Sequence, residues 1–322
     1  MVLALKNLIT WCRDQLTIDQ LCGLSKYHAM DSNSYDQLDW MLLVFGWFYL
    51  MMAFAQSLHK QYLGTTKGKG LQTSFNIMKQ KGLLTMLIRG PFHHNLDEAL
   101  KHIAEAHIMH GSSNALNAMD LQGQDMLQYL LLDDAIKHGD VGMMEDFLPQ
   151  LLFCFQDGGN SKYMTEVLEL LQALHWEWPE EVKNFVHENC WVLNMAGKSN
   201  SYVAIDQVQE YNIKDINVTY HSEGPNIKWD YLKKLHPAIP VIWSLSEHIE
   251  KQFGTLTRGK KHTIPKKKKD VETLTKLFWD SKYHDFKARQ KLQADKNKAR
   301  DYIGDGITKL WDGQAMANWV KN

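Results

Sequence analysis

The residues best suited to chemistry in this chain are carboxylates, histidines and a run of lysines. Asp14 closes the stretch Ile9–Ile18, ITWCRDQLTI, in which an apolar run leads through Trp11 and Cys12 to Arg13–Asp14. A carboxylate at the end of an apolar strand can hold a divalent metal at a sheet edge. Asp also suits a helix N-cap, because its side chain accepts from the first free amides; from the residues alone the cap is the better reading. Asp206 and Glu210 stand at i and i+4 in Ser201–Asp215, SYVAIDQVQEYNIKD, which reads as a helix. That spacing puts both carboxylates on one face, where they repel unless a cation intervenes. Lys214, one turn past Glu210, could be that cation.

A histidine cluster follows Gly90-Pro91: His93, His94, His102, His107 and His110, with Asp97, Glu98 and Glu105 among them. On a helix, His94, Glu98 and His102 share a face. This offers a metal site, or a wet helix face with some core histidines. Neither HExxH nor ExxH occurs here. The densest charge run is RGKKHTIPKKKK, with Arg258, Lys260, Lys261 and Lys266–Lys269. Such a run can neutralise phosphates, serve as a nuclear localisation signal, or remain a solvated linker. The chain has 31 Lys and only 5 Arg. Lysine supplies point charge, whereas bidentate base reading favours arginine, so binding to nucleic acid would be salt-sensitive and sequence-tolerant.

The charge balance supports a polyanion partner. Residues 251–322 carry 18 Lys and Arg against 8 Asp and Glu, a balance of +10, while the rest carries 18 against 29, or −11. A basic end on an acidic body suits a polyanion-binding tail, or one that docks on its own body. With 322 residues, 44% hydrophobic and 23% charged, the chain can bury a sizeable core. Cys12, Cys22, Cys154 and Cys190 form no CxxC pair, which argues against a cysteine zinc site and fits buried thiols in a reducing compartment. The N-terminus has no signal-peptide pattern. An element that looks internal to a sheet starts almost at once, so the chain is expected to be the C-terminal piece of something longer.

The elements that would position these groups are mainly helical. Residues 2–11 read as a short strand or a short apolar helix. Leu38–Ala55 is the most apolar stretch. It carries Asp39 near its start and is interrupted by Gly46, whereas a membrane span needs about 18 to 20 apolar residues. A buried strand over Met41–Phe45 that leads through Gly46 into a core helix over Phe48–Tyr62 is the better reading. Gly64–Gly70 lacks the phosphate-loop spacing and reads as a flexible loop. Leu71–Leu87 is amphipathic and broken at Gly82. Ala115–Trp191 is helix after helix. Leu116, Met119, Met126, Leu127, Leu130 and Leu131 keep helical spacing, as do Tyr163, Val167, Leu170, Leu171 and Leu174. Ser161 suits an N-cap, and Pro179 with Glu180 and Glu181 suits a helix start. Gly197–Asn200 is a linker, Trp229–Leu235 a short helix. Ile242, Leu245, Ile249 and Phe253 form an apolar stripe that stops at Gly254. The last residues, through Trp311 and Trp319, read as a loosely helical polar tail.

Several strings carry a family resemblance. WCRDQLTI, FGWFYLMMAFAQSLHKQYLGT, RGPFHH, GGNSKYMTEVLELLQALHWEWP, AIDQVQEYNIKDINVTYHSEGPNIKW and RGKKHT together resemble a domain-of-unknown-function family expanded in mushroom-forming (basidiomycete) fungi. The resemblance covers nearly the whole chain in order. It implies an origin in transposable elements and a relation to transposases with a ribonuclease-H-like core and a large helical insertion. Such nucleases use three carboxylates to hold two Mg2+ or Mn2+ ions. On that resemblance Asp14 is the second carboxylate, Glu210 the third and Asp206 its rival; the first would lie upstream. Where the family has Gly before the Asp this chain has Arg13, and where it has His after Phe it has Tyr49 after Phe48. A bulky cation beside Asp14 competes with metal binding. The resemblance therefore implies a truncated, inactive nuclease remnant that binds DNA, with a helical nucleic-acid- or protein-interaction module as the alternative.

The expected fold is mainly α, a multi-helix domain with a small α/β, ribonuclease-H-like remnant near the N-terminus. The expected divisions are 1–62 for that remnant, 63–200 for an all-helical insertion, 201–257 for a helical return to the core and 258–322 for a basic tail. The expected location is intracellular, with the basic run pointing to the nucleus, and no membrane contact.

Overall fold

A computed structural model describes residues 9–13, 15–63, 70–84, 93–111, 121–220, 233–234, 236–253, 267–282, 302–313 and 317. The fold is mainly α. It divides into two compact units, residues 1–206 with 268–322, and residues 207–267.

In the first unit, strand β1 (Ile9–Arg13) leads through helix α1 (Gln15–His28) to strand β2 (Met41–Phe45). The strands are parallel, and the register runs from Ile9 opposite Met41 to Arg13 opposite Phe45. Helix α1 packs on β2, as a parallel crossover requires. Of the two readings of residues 2–11, the strand holds over 9–13. Leu42, Val44 and Phe45 are buried, which explains the continuous apolar run: a parallel strand is covered on both faces.

Gly46 then opens helix α2 (Trp47–Tyr62), the centre of the first unit. Trp47, Leu50, Met51, Ala53, Phe54, Ala55, Leu58 and Tyr62 are all buried. A helix apolar on every side belongs inside a core or a bilayer; this one is inside a core. Among the described residues no helix is long and apolar enough to cross a membrane. Three buried polar side chains of α2 are paired, as buried polar groups usually are. Ser57 Oγ donates to Ala53 O at 3.0 Å, His59 Nε2 meets Leu83 O at 2.7 Å, and Tyr62 Oη donates to Asp125 Oδ2 at 2.5 Å.

Helices α3 (Leu71–Ile77), α4 (His93–Gly111), α5 (Leu121–His138) and α6 (Val141–Gly158) follow, and α4, α5 and α6 all pack on α2. Asp140 caps α6 through its Oδ1 on Met143 N at 3.0 Å, and Gly159 ends it at φ 76°, a left-handed turn that favours glycine. Helix α7 (Ser161–Gln172) passes through a π-helical turn, Ala173–Glu177, before helix α8 (Glu180–Asn189), which starts after Pro179. Asn160, not Ser161, stands at the N-cap of α7. Its amide donates instead to Ser57 Oγ on α2 at 2.5 Å, so packing on the central helix outweighs local capping.

Two short strands, β3 (Val192–Leu193) and β4 (Val203–Ala204), pair antiparallel around residues 194–202. Helix α9 (Ile205–Tyr220) begins directly after β4, so the helix predicted from Ser201 starts four residues later. It carries the chain into the second unit, where α10 (Ile239–Phe253) is described. The chain then returns to the first unit in α11 (Lys267–Asp280) and α12 (Tyr302–Asp312).

These last helices are packed, where the sequence suggests a loosely helical, polar tail; the helix is there over Tyr302–Asp312. Leu274 and Phe278 of α11 are buried. Helix α12 lies tightly on α6: a Cβ at Gly306 would stand 2.4 Å from Phe153 O. Lys309 pairs with Asp157, and Leu310 is buried.

Candidate functional site

The parallel pair ends at Arg13 and Phe45, directly opposite one another. Gly46 follows Phe45. Asp14 follows Arg13 and lies outside the described residues. Asp206 comes back to this strand end. Its Oδ1 accepts from Phe48 N at 3.1 Å and its Oδ2 from Tyr49 N at 3.0 Å. Phe48 and Tyr49 are the second and third residues of α2, and their amides have no partner within the helix. A side chain at the N-cap usually accepts them, but Gly46 has none. Asp206 supplies the missing acceptor from a distant part of the sequence.

The approach is possible because position 46 is glycine. A Cβ there would lie 2.1 Å from Asp206 Oδ2 and 2.2 Å from its Cγ. The backbone on the Asp206 side is also fixed, since Ile205 N donates to Trp191 O at 3.1 Å. Asp206 is only 3% exposed. It also lies in the first turn of its own helix, α9. One carboxylate thus faces the positive ends of two helices, where negative charge is favoured.

Glu210 stands one turn further along α9, half-buried and on the same helix face as Asp206. Of the three carboxylates predicted from sequence, the structure therefore brings Asp206 to the end of β2. Among the described residues no group of three or more His, Cys, Asp or Glu is arranged to hold a metal ion.

The basic residues divide in the same way. Lys267, Lys268 and Lys269 are exposed and form the first turn of α11. Three cations at the positive end of a helix are unfavourable locally, and Asp270 offsets part of this in the same turn. Arg258, Lys260, Lys261 and Lys266 lie outside the described residues.

The histidine cluster faces in more than one direction. His94 is exposed and pairs with Glu98 at 3.3 Å. His102 is buried, with its Nδ1 3.5 Å from Asp270 of α11. His107 stacks on Phe278 at 4.4 Å, and His110 packs on Trp279 at 4.6 Å. Three of these histidines thus form the seat of α11. His93 has its backbone at the start of α4.

Other polar constellations gave no motif in the sequence. Lys101 bridges Asp97 and Asp133 at 2.9 and 2.7 Å. Burial works to lower its pKa, but the two carboxylates raise it above the usual value. Glu145 meets Lys183 at 3.5 Å and His187 at 3.2 Å. Cys12 Sγ donates to Cys190 O at 3.2 Å. Apart from the i, i+4 pair Asp97–Lys101, these contacts join residues far apart in sequence, so no spacing signals them. The one available signal for the Asp206 contact was Gly46, a glycine between a buried strand and an apolar helix that leaves its N-cap unfilled.

No curated protein and no solved structure matches this chain. A family model does: it matches twice, over residues 3–123 and 114–262, and so spans most of the chain. The chain belongs to the family of unknown function DUF6589.

Proposed function

We propose that this protein derives from a transposase-like, ribonuclease-H-like nuclease of a fungal transposable element. In this reading it now binds DNA without cleaving it. The observation that carries it is the return of Asp206 to the end of β2. A parallel β–α–β unit, a long helical stretch, and then a carboxylate brought back to the strand end match the layout expected of such a core. In an active enzyme, Asp14 and Glu210 would hold Mg2+ or Mn2+ to activate the attacking oxygen.

One feature supports the loss of cleavage: Arg13 places a cation next to Asp14 in the chain. The Asp206 carboxylate is engaged by the Phe48 and Tyr49 amides, which leaves Glu210 as the third carboxylate in this reading. DNA binding rests on the basic residues Arg258, Lys260, Lys261 and Lys266–Lys269, of which Lys267, Lys268 and Lys269 are exposed. Lysines that neutralise phosphate release condensed counterions and need no sequence. The same basic run would direct the protein to the nucleus.

Incubating the full chain with supercoiled plasmid and Mg2+ or Mn2+ tests both parts. The expected result is a retarded plasmid that stays supercoiled. Nicking that requires the metal and disappears in Asp14→Asn would show a working nuclease; absence of any retardation at low salt would remove DNA binding.

One observation favours a second reading, a protein-interaction module. Helix α10 exposes Val241, Ile242, Trp243, Leu245 and Ile249, a concentration of apolar surface that marks contact sites. If α10 is the working surface, Trp243→Glu changes the solution mass by light scattering and leaves DNA retardation intact.

A further inference from the structure

Helix α11 has a seated face and an open one. Leu274 and Phe278 are buried, while Val271, Thr275 and Leu277 are half-buried. The cations Lys268, Lys269 and Lys276 and the indole of Trp279 are exposed, together with the carboxylates Glu272 and Asp280. At 3.6 residues per turn these exposed residues fall on one side of the helix. Lys276 and Trp279 are neighbours at i and i+3, and Lys268 stands three turns before Trp279 on the same line.

Trp279 is the residue that packing does not explain. Its neighbour Phe278 is 2% exposed, but half of Trp279 remains in water, at 50%. The rest of the indole lies against His110 of α4, with ring centroids 4.6 Å apart and planes tilted by 54°. His110 is itself buried and meets Phe278 edge-on. The indole is therefore braced by the first unit and still reaches solvent. A braced aromatic ring beside cations is how proteins hold single-stranded nucleic acid: bases stack on the ring and cations follow the backbone.

The distances suit that use. At 1.5 Å per residue, Lys276 lies about 4.5 Å and Lys268 about 16 Å from Trp279 along the helix axis. Lysines so placed can neutralise successive phosphates on one side of a stacked base. In a duplex both faces of each base are covered by its neighbours, and the stack must open before an indole can enter. An unpaired base presents its face without that cost. Lysine also fits a ligand held by charge rather than read by sequence.

We propose that the exposed face of α11 takes single-stranded DNA, with one base stacked on Trp279 and its flanking phosphates on Lys268, Lys269 and Lys276. This rests on the DNA-binding reading above and adds the form of the strand and the aromatic contact. Glu272 lies on the same face between the lysines. It repels the same backbone and so limits the affinity.

The test is fluorescence anisotropy of the full chain with a thymine-only oligonucleotide of about 12 nucleotides and, separately, with a duplex of the same length. Trp279→Leu keeps an apolar contact with His110 but removes the ring. It should weaken single-strand binding by about 5- to 150-fold and leave duplex binding unchanged. Trp279→Phe keeps a ring and should restore much of the loss. Glu272→Gln should strengthen binding of the single strand. Single-strand affinity unmoved by Trp279→Leu, or an equal loss on both DNA forms, would overturn the proposal while leaving DNA binding intact. Failure of the unmutated chain to bind either form at low salt would remove the DNA reading itself, and this proposal with it.

Discussion

Gly46 leaves the space that the Asp206 carboxylate occupies: a Cβ at position 46 would stand 2.1 Å from Asp206 Oδ2. The pair replaces a local N-cap with one supplied from far along the chain, and it ties the first residues of α9 to the start of α2. Removing either partner should therefore damage the central helix of the first unit.

Asp206→Ala leaves the Phe48 and Tyr49 amides without their acceptor in a buried setting. The expected loss is about 1–3 kcal/mol of stability, read as a lower urea midpoint. Asp206→Asn keeps one acceptor oxygen and should cost less. Gly46→Ala forces the carboxylate out of its place and should cost as much as Asp206→Ala. The double variant should be non-additive, since the alanine at 206 opens the space that the new Cβ needs. Strict additivity would mean that the contact carries no energy.

Gly306 allows α12 to lie against the backbone of α6 at Phe153. Gly306→Ala has backbone in its way, which cannot move aside as a flexible side chain could. The expected cost is about 1–3 kcal/mol, with faster amide exchange confined to residues 302–312. Unchanged exchange there would show that α12 does not depend on this approach.

Stability should fall on mild acidification. His59 and His187 both sit below the usual 6.5, in each case chiefly because burial disfavours the charged ring. Leu83 O opposes the shift at His59; at His187, Glu145 opposes it and Lys183 adds to it. As pH drops through 6.5 the unfolded chain takes up protons that the folded chain refuses, so folding stability declines and returns above 6.5. Glu169 works in the opposite sense nearer its usual 4.5, so the comparison belongs at pH 7.5 and pH 6.0. The urea midpoint should be lower at pH 6.0. His59→Gln, which keeps a donor for Leu83 O, should make that difference smaller; an equal or larger difference would exclude His59 as a source.

Much of the fold was legible because its signals are local. The strand at Met41–Phe45, the turn at Gly46 and the buried helix after it follow from apolar runs of strand and helix length. The histidines of α4 were ambiguous: periodicity puts His94, Glu98 and His102 on one face, but it cannot say that His102 meets α11. The packing of α11 and α12 was missed because a few apolar residues, Leu274, Phe278 and Leu310, anchor helices that are otherwise polar. At the site, the sequence pointed to Asp206 as a rival to Glu210. It could not reveal that the Asp206 carboxylate serves the amides of α2, because that bond depends on an empty position at residue 46.

DNA binding through the lysine run is the property to test most directly. The measurement is the affinity of the full chain for a fluorescent duplex of arbitrary sequence, by anisotropy, across a salt series. Binding should weaken linearly on a log–log plot, by about 0.9 per phosphate neutralised. Replacing Lys267, Lys268 and Lys269 with glutamine should flatten the slope by up to about 2.7, and changing the duplex sequence should leave it unaltered. Affinity that does not change with salt, or a slope untouched by the three substitutions, would contradict the account.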